Sequence, residues 1–151
     1  MNKLDNKKIL IVGLGLMGGS YAHALTKKGY YVGAITKDES SIKYALDNHI
    51  IQSGMTNVTK EYVMQFDVVV FALYPTIFVE WIEKYQMYIK PRTLITDVTG
   101  IKTWLIDELE KICHEINSHN LDIMVLCGDI VDEHTSGDHI KPVFEILGDI
   151  D

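Results

Sequence analysis

A strand-like run from Lys8 to Val12 passes directly into Gly13-Leu14-Gly15-Leu16-Met17-Gly18, and a helix-like stretch begins at Leu16. This G-x-G-x-x-G arrangement restricts the possible folds more than any other feature of the chain. Each glycine has its own steric task. The first permits a tight turn, the second lets a pyrophosphate approach the backbone, and the third lets helix and strand pack closely. The helix start then offers N–H groups and a positive dipole end to phosphate oxygens. Without its flanks the pattern is weak, and the bland alternative is a glycine-rich turn that binds nothing. Between a strand and a helix it predicts a dinucleotide-binding loop made of Gly13, Leu14, Gly15, Leu16, Met17 and Gly18.

The remainder of the chain repeats the strand–helix alternation. The helix from Leu16 to Lys28 is closed by Gly29 at the usual left-handed position. Tyr30 to Ile35 reads as a second strand and Ser40 to Asp47 as a second helix, ending at Asn48-His49, which tolerate positive φ. Ile50-Ile51 is expected to be a brief third strand, and Phe66 to Leu73 a longer fourth. Pro75 opens a helix predicted to run to about Ile89. Thr93 to Asp97 is a fifth strand, Ile101 to Asn117 an amphipathic helix and Leu121 to Cys127 a sixth strand. This order predicts an α/β fold, a doubly wound parallel sheet of the Rossmann type with helices on both faces. The nucleotide-binding domain is expected over residues 1–127, with the polar stretch 128–151 as a tail of weak pattern.

Composition narrows the partners. A chain of 151 residues with 47% hydrophobic and 23% charged residues can bury a true core. Fourteen Lys+Arg against 21 Asp+Glu leave a net charge of -7, so there is no basic excess with which to grasp nucleic acid. No apolar run reaches the roughly 18 residues of a membrane span. The apolar stretch near the start is interrupted by glycines, which argues against a secretory leader. Cys113 and Cys127 are too few for a disulfide framework and fit a reducing cytoplasm.

The end of the second strand bears on the choice of dinucleotide. NAD sites usually carry Asp or Glu there for the ribose 2′-hydroxyl. Here Thr36 is followed by Lys37. A neutral hydroxyl removes the repulsion against a 2′-phosphate and the ammonium pairs with it, so NADP is favoured over NAD. The alternative reading leaves Thr36 and Lys37 solvated and sends Asp38 or Glu39 to the ribose. Other polar residues carry less. Asp132, Glu133, His134 and His139 match no metal-ligand spacing, and no metal site is expected. His23 reads as helix surface, Trp81, Tyr85 and Tyr88 as packing residues, and Met64 and Met87 as gap fillers.

Three segments together resemble the prephenate dehydrogenases. They are Ile9 to Ser20 with its Gly18-Gly19-Ser20 ending, Asp67 to Pro75, and Lys90 to Lys102 with its Asp97-Val98-Thr99-Gly100-Ile101-Lys102 turn. Order and spacing agree over about residues 8–112. The resemblance implies an oxidoreductase of tyrosine biosynthesis, which oxidises prephenate by hydride transfer to a nicotinamide with loss of carbon dioxide. It further implies that Ala72, Leu73, Tyr74, Pro75, Asp97 and Thr99 join the phosphate loop, Thr36 and Lys37 around the cofactor. Two positions depart from the family. Its Ser after the fifth strand is Gly100 here, with Thr99 beside it, and Asp129 stands where its catalytic His belongs, with His134 as a distant substitute. No counterpart of the family's helical second domain follows, so weak or absent turnover is expected, with self-association or a separate helical half as the implied partner. Two other readings share the glycine loop: a β-hydroxyacid dehydrogenase, and a non-catalytic NADP-binding module or relic.

Overall fold

The structure, a computed structural model, describes residues 6–98 and 123–126. Six parallel strands form one sheet in the order β3-β2-β1-β4-β5-β6, where β1 is Lys8–Val12, β2 Tyr31–Ile35, β3 Ser53–Met55, β4 Val68–Phe71, β5 Leu94–Asp97 and β6 Ile123–Leu126. Between them run α1 (Leu16–Lys27), α2 (Glu39–Asp47), the short α3 (Lys60–Val63) and α4 (Pro75–Tyr85), which ends in a 3-10 turn over Gln86–Tyr88. The doubly wound Rossmann-type sheet predicted from the sequence is the fold observed. The strand order reverses between β1 and β4, which pair directly with Val12 opposite Phe71.

Continuous apolar runs place β1 and β4 at the centre, where both faces must be covered. Alternate residues then serve different layers. Leu10, Val12, Val69 and Phe71 face Phe78, Trp81 and Ile82 of α4 and Tyr62 and Val63 of α3. Ile9, Ile11, Val68 and Val70 face Ala22 of α1 and Ile42 and Ala45 of α2. Burial of each such Val, Leu, Ile or Phe contributes roughly 1.5–3 kcal/mol. At the opposite end of the sheet from the glycine loop, Asp67 ties strands together. Its carboxylate accepts from the Lys8 amide at 2.9 Å and from Lys90 Nζ at 2.8 Å, with Lys7 Nζ at 3.9 Å. Burial alone pushes this carboxyl up, but the bonds from Lys90 and Lys8 and the nearby lysine charges outweigh it and hold it below the ordinary range.

Several expectations need correction. The third strand is Ser53–Met55 and not Ile50-Ile51. The amides of Ile50 and Ile51 both bond to Ala45 O and finish α2, and Ile51 is buried as a core residue. Gln52 then locks the edge, its amide donating to Val32 O at 2.8 Å while its side-chain oxygen accepts from the Val32 amide at 2.6 Å. The helix from Pro75 does not run unbroken to Ile89, because the 3-10 turn tightens its end. Met64 and Met87 fill no gap; both are exposed. The helix expected at 101–117 and the domain boundary expected after Cys127 lie outside the described residues.

Candidate functional site

The glycine loop joins β1 to α1 at the C-terminal edge of the sheet. Gly13 has φ +99°, a region that side-chain-bearing residues rarely enter, and its amide donates to Ile35 O at 2.8 Å. A Cβ there would lie 2.5 Å from Ala72 O. A Cβ on Gly18 would collide with the Gly13 carbonyl oxygen, so the helix packs on the turn only because that position has no side chain. Gly15 differs from both. It caps α1 at φ -69° and ψ -165°, and a Cβ there would meet nothing within 4 Å. Its lack of a side chain serves no packing need within the described residues. It keeps open the space in front of a helix start that has no side-chain cap and no acidic residue in its first turn. Such a start attracts an anion. Leu14 is half-buried, whereas Leu16 and Met17 are exposed beside the opening.

The end of β2 lies beside this loop. Thr36 is half-buried and donates its amide to Met55 O at 3.2 Å, and Lys37 is exposed. Asp38 has another task. It caps α2, its carboxylate accepting from the amides and hydroxyls of Ser40 and Ser41. The bonds from the Ser41 and Ser40 side chains hold its carboxyl below the usual range. Glu39 is exposed in the first turn of α2.

A cleft of about 680 Å³ opens from Val12, Gly13, Ile35, Thr36 and Lys37 toward the loop after β3 (Thr56, Asn57, Val58) and toward Leu73 and the α4 residues Ile77, Trp81 and Tyr85. Ala72 bonds through its amide to Val12 O at 2.8 Å, which fixes the loop after β4 against β1. Tyr74 caps α4 and is largely exposed, and Pro75 occupies the first turn. Asp97 ends β5 as a buried carboxylate, in register with Phe71 and Leu126. A second groove, of about 910 Å³, lies on the other face between α1 and α2, and His23 lines it from an exposed position.

The fold thus gathers Gly13 to Gly18, Thr36, Lys37 and Ala72 to Pro75 at the edge where the strand order reverses, with Asp97 one strand further along. Open α/β sheets bind their ligands at that edge. Thr99, Gly100, Asp129 and His134 lie outside the described residues. Sequence reasoning missed the cleft wall supplied by Thr56, Asn57 and Val58, because it placed the third strand too early. Among the described residues no three His, Cys, Asp or Glu cluster as metal ligands, and no helix is long and apolar enough to cross a membrane.

A family model described as the prephenate dehydrogenase nucleotide-binding domain matches residues 21–121. No curated protein matches. Among solved structures, the A. aeolicus prephenate dehydrogenase in complex with hydroxyphenyl propionate and NAD+ aligns with a TM-score of 0.68 at 21% identity, over 99% of this chain and 59% of that one. The Synechocystis arogenate dehydrogenase aligns with a TM-score of 0.62 at 22% identity, over 70% of this chain and 37% of that one. The Mycobacterium tuberculosis 3-hydroxyisobutyrate dehydrogenase gives a TM-score of 0.62 at 22% identity, over 80% and 39%. At such identities the likeness is one of fold. The chain spans about three-fifths, or less, of the length of these structures.

Proposed function

This chain belongs to the prephenate dehydrogenase family, by its nucleotide-binding domain, and from that premise we propose that it binds a nicotinamide dinucleotide and serves the oxidation of prephenate. The observation that carries the reading is the cradle at Gly15, kept clear of side chains in front of an uncapped helix start. Two further glycines hold it rigid, since neither Gly13 nor Gly18 has room for a Cβ. A pyrophosphate fits such a cradle in size and in charge.

The loop from Gly13 to Gly18 would hold the pyrophosphate, and Thr36 with Lys37 the adenine-side ribose. Ala72 to Pro75 and Asp97 would border the rest of the dinucleotide. A nicotinamide held there would supply a hydride acceptor for the substrate carbon that bears the hydroxyl. The described residues bind and orient; none of them is placed as an acid or base. NADP is the preferred form on this reading. Thr36 brings no charge against a 2′-phosphate, Lys37 offers an exposed ammonium, and the Asp38 carboxylate is engaged by the amides and hydroxyls of Ser40 and Ser41.

Calorimetric titration of the 151-residue chain with NADPH and NADH tests both levels. Binding of NADPH about tenfold tighter than NADH is expected, since one charge-assisted contact is worth roughly 1.5 kcal/mol. Equal affinities would remove the NADP preference, and no binding of either would remove the dinucleotide reading.

A further inference from the structure

Two hydroxyls tie together the flanks of the cleft wall that follows β3. Ser53 opens β3, Tyr62 lies in α3, and their side-chain oxygens stand 2.7 Å apart. Between them in sequence are Thr56, Asn57 and Val58, which line the cleft. Neither flank is a firm support by itself. β3 is three residues long at the edge of the sheet, and α3 is one turn of four residues without a side-chain cap. Elements so short draw their stability from tertiary contacts rather than from their own backbone bonds.

Tyr62 is a core residue with a polar tip. It is 8% exposed, and its ring meets Phe66 edge-on at 5.1 Å. A phenylalanine would make the same ring contact without a hydroxyl to bury, so packing alone gives no reason for the oxygen. Gly33 of β2 makes room for it, since a Cβ there would lie 2.7 Å from the Tyr62 hydroxyl. Burial pushes that hydroxyl above its usual range, so it stays neutral and able to bond at physiological pH. Both flanks reach the cleft through further contacts. Met55 O, two residues after Ser53, accepts from the Thr36 amide at 3.2 Å, and Val58 packs on the core cluster that contains Tyr62. We infer that Ser53 and Tyr62 are positioning residues for the cofactor, their bond closing the β3–α3 loop and setting where the cleft wall and the end of β2 stand. The inference rests on the dinucleotide reading and adds to it two residues that do not themselves line the cleft.

The test uses the full chain and whichever of NADPH and NADH it binds more tightly. Tyr62→Phe keeps the ring and Ser53→Ala keeps the strand, so each removes the bond from one side. Either variant is expected to bind the dinucleotide about fivefold more weakly, as for loss of one hydrogen bond, and the double variant no more weakly than either alone. Amide exchange in the free chain separates positioning from a general loss of stability. The Thr36 amide, braced by Met55, should exchange about fivefold faster relative to the Ala72 amide, which bonds to Val12 O at the sheet centre. A bond that served stability alone would quicken both amides alike and leave affinity unchanged, and that result would overturn the inference. So would losses that add in the double variant. Ser53→Ala, in a half-buried edge strand, carries both measurements by itself if Tyr62→Phe does not fold. If the unsubstituted chain binds dinucleotide and the variants match it within about twofold, only this inference falls. If the unsubstituted chain binds neither NADPH nor NADH, the dinucleotide reading falls and takes the inference with it.

Discussion

Three glycines within six residues respond to a methyl group in different ways, and the difference separates folding from binding. At Gly18 the methyl would run into the Gly13 carbonyl oxygen, backbone against backbone, so neither side can yield cheaply. Gly18→Ala is expected to lower stability by about 3 kcal/mol, at the upper end for overpacking, and denaturant unfolding would measure it. At Gly15 the backbone is ordinary and the space is open. Gly15→Ala should therefore leave the unfolding midpoint within about 0.5 kcal/mol of the unsubstituted chain, as for a surface change. It should nonetheless weaken NADPH by roughly tenfold or more, because the methyl stands where the pyrophosphate must approach. Equal loss of stability in the two variants would show that both glycines serve packing alone. Lys37→Ala probes the other end of the cofactor. It should reduce NADPH affinity about tenfold and leave NADH nearly unchanged, an outcome that a general loss of structure does not mimic.

At the scale of elements, legibility tracked hydrophobic pattern. Buried strands such as β1 and β4 announce themselves as unbroken apolar runs, and Pro75 marks the start of α4. The third strand left no such mark. Ser53, Gly54 and Met55 form an edge strand without an apolar run, and Gln52 supplies a side-chain bond where a backbone pair would be expected. The apolar pair just before it, Ile50-Ile51, closes α2, so the pattern pointed to the wrong residues. The same misplacement hid the cleft wall after β3. Gly33, in β2, was read simply as part of a strand, but it is a packing residue: a Cβ there would collide with the Phe66 ring and lie 2.7 Å from the Tyr62 hydroxyl. The Asp67 latch was also invisible, because Lys90 reaches it across 23 residues of sequence. Its carboxyl titrates lower in the folded chain than in the unfolded one, so the stability it contributes is present above the unfolded value of about 4 and lost as pH falls through the folded value. Unfolding followed from neutrality into acid should show this decline below about pH 4. Asp67→Asn should flatten it while lowering stability at neutral pH. An unchanged acid slope in the variant would mean that the latch contributes nothing.

Over the whole molecule, the sheet separates two tasks. Its N-terminal edge carries the Asp67 latch, and its C-terminal edge, where the strand order reverses between β1 and β4, carries every candidate cofactor residue that the structure describes. Cofactor binding and the proposed oxidation can therefore be tested apart. The family reaction needs a group to polarise the hydroxyl of prephenate as hydride leaves. On the family resemblance, we propose that this task falls to the positions occupied here by Gly100, which has no side chain, and by Asp129 in place of the family's His. The 151-residue chain is accordingly expected to bind NADP yet to form no NADPH from prephenate above the uncatalysed background, as followed by reduced-cofactor absorbance at neutral pH. Returning the family residues in the double variant Gly100→Ser, Asp129→His tests the cause. A measurable rate in that variant with unchanged cofactor affinity would locate the deficit at these two positions. Steady turnover by the unsubstituted chain would show instead that other residues perform the step.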